Sequence, residues 1–129
     1  MSQLQKLDEK KKFDTTVEKC YEWIRILNEE IFDGKLTEIS EIDIRWRRKA
    51  WAYYEYDEDS KDPTISKLRL LMNKRYRSEK FFVEILAHEL IHHYQFLYHG
   101  IVDHGPTFFS WKEKLEQKGL NLAECYDEE

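Results

Sequence analysis

The stretch Phe81-Phe82-Val83-Glu84-Ile85-Leu86-Ala87-His88-Glu89-Leu90-Ile91-His92-His93-Tyr94-Gln95-Phe96-Leu97-Tyr98 decides how this chain is read. Ser78 precedes it as an N-cap residue and Gly100 follows as a stop, so the stretch predicts one long helix. Apolar residues surround it on most sides, which predicts a largely buried helix. His88 and His92 are four residues apart and share one face, separated by ~6 Å along the axis. Both imidazoles can therefore reach one zinc ion at ~2.0–2.1 Å. Glu89 is turned ~100° from His88 and can approach a water on that ion without ligating the ion itself. This is the H-E-x-x-H arrangement of zinc hydrolases. Two ordinary histidines are the bland alternative, but ionisable groups in a buried helix need partners, and a metal would satisfy both rings.

A closed catalytic site needs a third protein ligand. The candidates are His93, His99, Asp103 and His104. His93 lies ~100° round from His92 and faces away. His99 is ~10 Å further along a straight axis. Beyond Gly100 the chain can reverse, and the five residues from His99 to His104 can span ~17 Å, enough to return. His104 is the geometric favourite. Asp103 could ligate instead, or hold the second nitrogen of a ligand.

Outward from this helix the chain reads as a small α+β domain. Asp14-Thr15-Thr16 offers N-cap chemistry, and Val17, Tyr21, Ile24, Leu27, Ile31 and Phe32 recur at helical spacing, predicting a helix over about 15–32 that Asp33-Gly34 ends. Ile42, Ile44 and Trp46 alternate with charged residues, as a half-buried strand should. Residues 50–56 read as a second strand, Asp57 to Pro63 as a turn, and Ile65 to Met72 as a third strand. Pro106 suits the first turn of a final helix over about 106–118, with Phe109 and Leu115 on its apolar side. The domain boundaries expected are an N-terminal extension 1–14, a domain 15–120 and an acidic tail 121–129.

At these residues the sequence resembles a family. His88-Glu89-x-x-His92, then His104-Gly105-x-x-Phe108, is similar to the SprT-like zinc metalloprotease domain. Leu27-Asn28-x-x-Ile31-Phe32-Asp33-Gly34-Lys35-Leu36 resembles that family's first helix and turn. Arg45-Trp46, the aromatic strand at 52–56 and Leu70-Leu71-Met72-Asn73 follow its order, so the resemblance covers about residues 15–120. It implies a zincin-like fold: an N-terminal helix, a three-stranded sheet, an active-site helix carrying H-E-x-x-H and a C-terminal helix. It also implies Zn2+ held by His88, His92 and His104, with Glu89 as catalytic acid and base. The compact form, without the C-terminal cysteine zinc ribbon of many members, is expected, similar to compact phage or bacterial members.

Composition agrees with one intracellular domain. The 129 residues are 41% hydrophobic, 15% aromatic and 36% charged, which argues against intrinsic disorder. No apolar run approaches the ~18 residues that would span a bilayer, and the N-terminus has no apolar signal core, so a cytoplasmic setting is expected (the host's, if phage-encoded) with no membrane association. Cys20 and Cys125 form no C-x-x-C pair, and two inert thiols are expected. Net charge is −5, yet residues 41–80 carry 11 basic against 8 acidic side chains. Arg45, Arg47, Arg48 and Lys49, with Lys74, Arg75 and Arg77, interleave with aromatics and could hold phosphates in a weak DNA association. The overall acidity argues against strong non-specific binding. The function expected is a monomeric zinc-dependent metalloprotease acting on a protein or peptide, with DNA-associated proteins among its candidate substrates. The competing expectation is a catalytically silent zinc-stabilised module that binds protein or nucleic acid. Tyr53, Tyr54, Tyr56, Tyr94 and Tyr98 are candidates for an oxyanion donor, although packing is the commoner use of such residues. The second strand is the expected edge for aligning a substrate.

Overall fold

The computed structural model describes residues 3–47, 49–57 and 68–123. Arg48, most of the turn after Asp57, the start of the third expected strand and Cys125 with the end of the acidic tail lie outside the described residues. After a 3-10 turn at Gln3–Lys6 the elements run β1 (Phe13–Asp14), α1 (Val17–Glu30), β2 (Glu41–Ile44), β3 (Ala52–Glu55), β4 (Arg69–Met72), β5 (Arg75–Tyr76), α2 (Glu79–Tyr98), α3 (Pro106–Phe109) and α4 (Lys112–Gln117). The class is α+β, as expected.

Thr16 caps α1 by accepting from the Lys19 amide, and Asp33 and Gly34 then take positive φ angles of 54° and 74°. The anticipated face of α1 is buried at its C-terminal end, at Leu27, Ile31 and Phe32, but not at its start. Cys20, Trp23, Ile26 and Leu27 face the core, whereas Val17 and Tyr21 are exposed. Two adjacent stripes share helical spacing here, and the one that buries an indole removes more apolar surface from water. The turn after α1 is tied back by Asn28, whose side chain accepts from the Leu36 amide and donates to the Leu36 carbonyl.

The main sheet has the order β2-β4-β3, with β2 parallel and β3 antiparallel to β4. Leu70 is paired with Ile42 on one side and Tyr54 on the other. Central position explains the blurred alternation of β4: Leu70, Leu71 and Met72 are all buried. On β2, Ile42 and Ile44 are half-buried as expected, but the strand ends before Trp46, which is 65% exposed. A second, two-stranded ladder pairs β1 with β5, Phe13 opposite Tyr76.

The long helix α2 begins at the Ser78 cap, whose hydroxyl accepts from the Phe81 amide. Every residue from Phe81 to His93 is buried, so α2 runs through the middle of the core. Its C-cap is His99, followed by Gly100 at φ 67°. The expected final helix is two short ones. Ser110 Oγ donates to the Thr107 carbonyl at 2.8 Å, and the Trp111 amide turns instead to Phe108, which interrupts the helix. Leu115 is buried as anticipated, but Phe109 is exposed and Phe108 is the enclosed ring. The core also draws in residues outside the expected 15–120 span. Leu4 is buried, Phe13 stacks on Phe82, and Leu122 packs on the core beside Leu120, the last residue of that span.

Candidate metal centre

A helix of 3.6 residues per turn places His88 and His92 on one face of α2, and the reversal after Gly100 brings His104 to them. His104 sits at the exposed corner just before Gly105 and Pro106, the start of α3. His92 Nε2 lies 3.2 Å from His104 Nε2, which lies 3.3 Å from His88 Nε2. All three donor atoms fall within 4.8 Å of one another. Tetrahedral ligands with bonds of ~2.0–2.1 Å stand ~3.3 Å apart, so the spacing fits one ion of zinc's size.

The chemistry of the donors fits as well. A carbonyl can only accept, so His88 Nδ1 donates to the Ala123 carbonyl at 3.0 Å, which leaves the Nε2 lone pair facing inward. His92 Nδ1 meets Gln95 Oε1 at 2.9 Å and leaves its Nε2 in the same state. Lone pairs turned toward one point repel unless a cation lies among them. Phe108 is fully buried beneath them, its ring centroid 4.8, 5.1 and 4.8 Å from those of His88, His92 and His104.

Protons are unwelcome on these rings. Burial, followed by the neighbouring His92 and His104, pushes the His88 pKa down to about 3. Burial also lowers His92, against the hydrogen bond it donates to Gln95 Oε1. Glu89 is buried beside them, Oε2 3.8 Å from His88 Nε2, and burial pushes its carboxyl up to about 8. A cleft of about 700 Å³ opens over the cluster, walled by residues 49–54 on one side and 102–104 on the other. The edge strand β3 contributes Tyr53 and Tyr54 to that wall.

Of the other candidates, Tyr53 is exposed on the cleft wall and the rest have contacts of their own. His93 points away, as expected: Nε2 donates to the Thr37 carbonyl at 2.8 Å, so Nδ1 accepts the Tyr54 hydroxyl at 2.8 Å. Tyr54 thus spends its proton on His93. Tyr98 donates to the Lys35 carbonyl, Tyr56 stacks on Tyr54 and Phe96, and Tyr94 packs on Phe32 and Trp111. His99 caps α2 on the surface. Asp103 does not touch a ring nitrogen in any described contact. It accepts from the Gly105 amide and from Gln95, so the second nitrogen of His92 is held by Gln95 rather than by Asp103. Sequence reasoning missed Gln95, although an amide three residues after His92 in an apolar helix was a visible signal. The Ala123 carbonyl had no such signal, since every residue carries one.

Arg45 pairs with Asp43 at 2.8 Å, Arg47 bonds the Asp43 and Met72 carbonyls, and Arg75 pairs with Asp14 at 2.7 Å. Arg77 lies over the Phe81 ring, Lys49 lines the cleft, and Lys74 is exposed. No helix among the described residues is long and apolar enough to cross a membrane.

A family model described as SprT-like matches residues 20–126, most of the chain. Comparison with curated proteins finds no match.

Proposed function

The chain belongs to the SprT-like family, and from that footing we propose that it is a zinc metallopeptidase that hydrolyses peptide bonds with Glu89 as general base and acid. One observation carries this reading: His104 Nε2 stands 3.2 and 3.3 Å from the Nε2 atoms of His92 and His88, all three within 4.8 Å of one another, with the buried Glu89 carboxylate 3.8 Å from His88 at the floor of a cleft. His88, His92 and His104 would hold the ion. When bound, zinc supplies a Lewis acid that acidifies water and polarises a carbonyl, and a positive charge that favours the ionised form of Glu89. Glu89 takes a proton from water on the cleft side of the three rings and later delivers it to the departing amine nitrogen. Burial of Glu89 suits it to hold that proton between the two transfers. Among the described residues β3 is an edge strand of its sheet and lies along the cleft wall, and an extended peptide can pair with it through main-chain hydrogen bonds.

Replacing Glu89 tests this directly. Glu89→Gln keeps the size of the side chain and removes its base. Cleavage of an unstructured protein should fall by about 10²–10⁴-fold while the protein still carries zinc. A variant that cuts as fast as wild type would refute the peptidase assignment. A wild-type protein that binds zinc and cuts nothing, with Glu89→Gln indistinguishable from it, would favour the silent binding module.

A further inference from the structure

We propose that Gln95 is a positioning residue that sets both the tautomer of His92 and the place of the loop carrying His104. The inference rests on the metal-site reading above and adds to it. Gln95 is fully buried on α2, three residues beyond His92. Its Oε1 faces His92 Nδ1 at 2.9 Å and also accepts from the Asp103 amide at 3.3 Å. Its Nε2 donates to Asp103 Oδ1 at 3.3 Å and to Thr107 Oγ1 at 2.9 Å. The amide thus has an acceptor or donor at each of its polar positions.

Those partners flank His104 on both sides. Asp103 precedes it and also accepts from the Gly105 amide at 3.0 Å, and Thr107 stands in the first turn of α3. His104 itself is exposed at the corner, so its backbone must be held by something deeper. One buried amide therefore ties a ligand on the rigid helix to a ligand on the reversing loop. A Cβ on Gly105 would stand 3.2 Å from Asp103 Oδ1, so a side chain at 105 would press on the carboxylate that Gln95 holds.

This assignment explains why the residue is glutamine. Glutamate would still accept from His92. It could not donate to Asp103 and would set a second carboxylate against the first in a buried place. Gln95→Glu should therefore loosen the loop while sparing the His92 contact. Adding Asp103→Asn to Gln95→Glu removes the second carboxylate, and an amide turned so that its Oδ1 keeps the Gly105 bond presents its Nδ2 as a donor toward position 95.

The test is zinc affinity of the purified full chain, measured by competition with a chromophoric chelator, beside the melting temperature of each metal-free protein. Gln95→Glu should weaken zinc binding by about 10–100-fold, as losses of such supporting contacts do. The double variant should return close to the wild-type affinity. A purely structural role predicts lower metal-free melting and unchanged zinc affinity in the folded fraction, which would overturn the proposal. So would a double variant as weak as the single one with both folded. Nitrogen NMR of the metal-free wild type supplies a check that needs no variant: His92 should carry its proton on Nδ1, and a proton on Nε2 would overturn the assignment. Wild type that binds no zinc would remove the metal-site reading and this proposal together. Wild type that binds zinc with Gln95→Glu equally tight would remove this proposal alone.

Discussion

His92 and His93 are neighbours in sequence, yet one turns to the cleft and the other to the backbone of Thr37. The turn of ~100° per residue separates them, and their partners make the separation permanent. Both are depressed chiefly by burial, as is His88. Depressed histidines bind fewer protons folded than unfolded, so their contribution is present above 6.5 and lost as pH falls below it. Glu89 acts in the opposite sense. Its carboxyl is raised from 4.5 to about 8, so its contribution is lost as pH rises between those values. Burial raises the Glu84 carboxyl in the same sense. Just below 6.5 three lowered histidines outweigh these two glutamates, and above it the raised Glu89 carboxyl sets the trend. The metal-free protein should therefore melt highest near pH 6.5 and lower on either side, a profile that thermal melts in chelator across pH 4.5–8 would measure. At the same scale His104→Ala should lose stoichiometric zinc, checked by metal analysis of purified protein. Full retention of zinc would move the third ligand elsewhere.

At the scale of elements, the cleft wall depends on a buried hub behind it. Asn73 follows β4, accepts the Arg47 amide and donates to the carbonyls of Ala50 and Trp51. Its own amide donates to the Tyr76 hydroxyl, which in turn donates to Trp51. These bonds hold the segment leading into β3 against the sheet. Asn73→Ala leaves partners unpaired and should cost about 2 kcal/mol, read by denaturant melts. The Ser78 cap of α2 is a simpler contact. Ser78→Ala should cost about 1 kcal/mol without changing zinc affinity, because the cap lies more than two helical turns before His88.

Across the whole molecule, the site gathers segments from far apart in the chain. The Ala123 carbonyl reaches His88, and the Asn121 amide donates to Glu84 one turn earlier on α2. The Leu122 side chain is buried between those two bonds. Zinc should therefore stabilise the domain as a unit. At a free concentration ~1,000 times the dissociation constant it adds about 4 kcal/mol, roughly 10–20 °C in melting temperature, and chelator should remove that increment. Calorimetry with and without chelator measures it, and an unchanged melt would mean no ion is held.

Much of this was legible from order and spacing alone. His88, Glu89 and His92 needed only helical periodicity, because their relation is local and a helix has one geometry. A stop at Gly100 and enough chain to return made His104 the favourite beside Asp103, and the folded loop is what brings the His104 ring to the other two. The α+β class followed from helix, strands and helix in sequence. Other features required the folded chain. Trp23 rather than Val17 faces inward because two stripes compete and the surrounding core selects one. Ser110 breaks the last helix through a side-chain bond that composition does not announce. β4 lies between β2 and β3, and β1 meets β5, because pairing partners are chosen by long-range packing. Local spacing dictates which groups a short segment can present together, whereas Gln95 meeting Thr107 and Ala123 meeting His88 depend on where distant backbone comes to rest, which only the packed core decides.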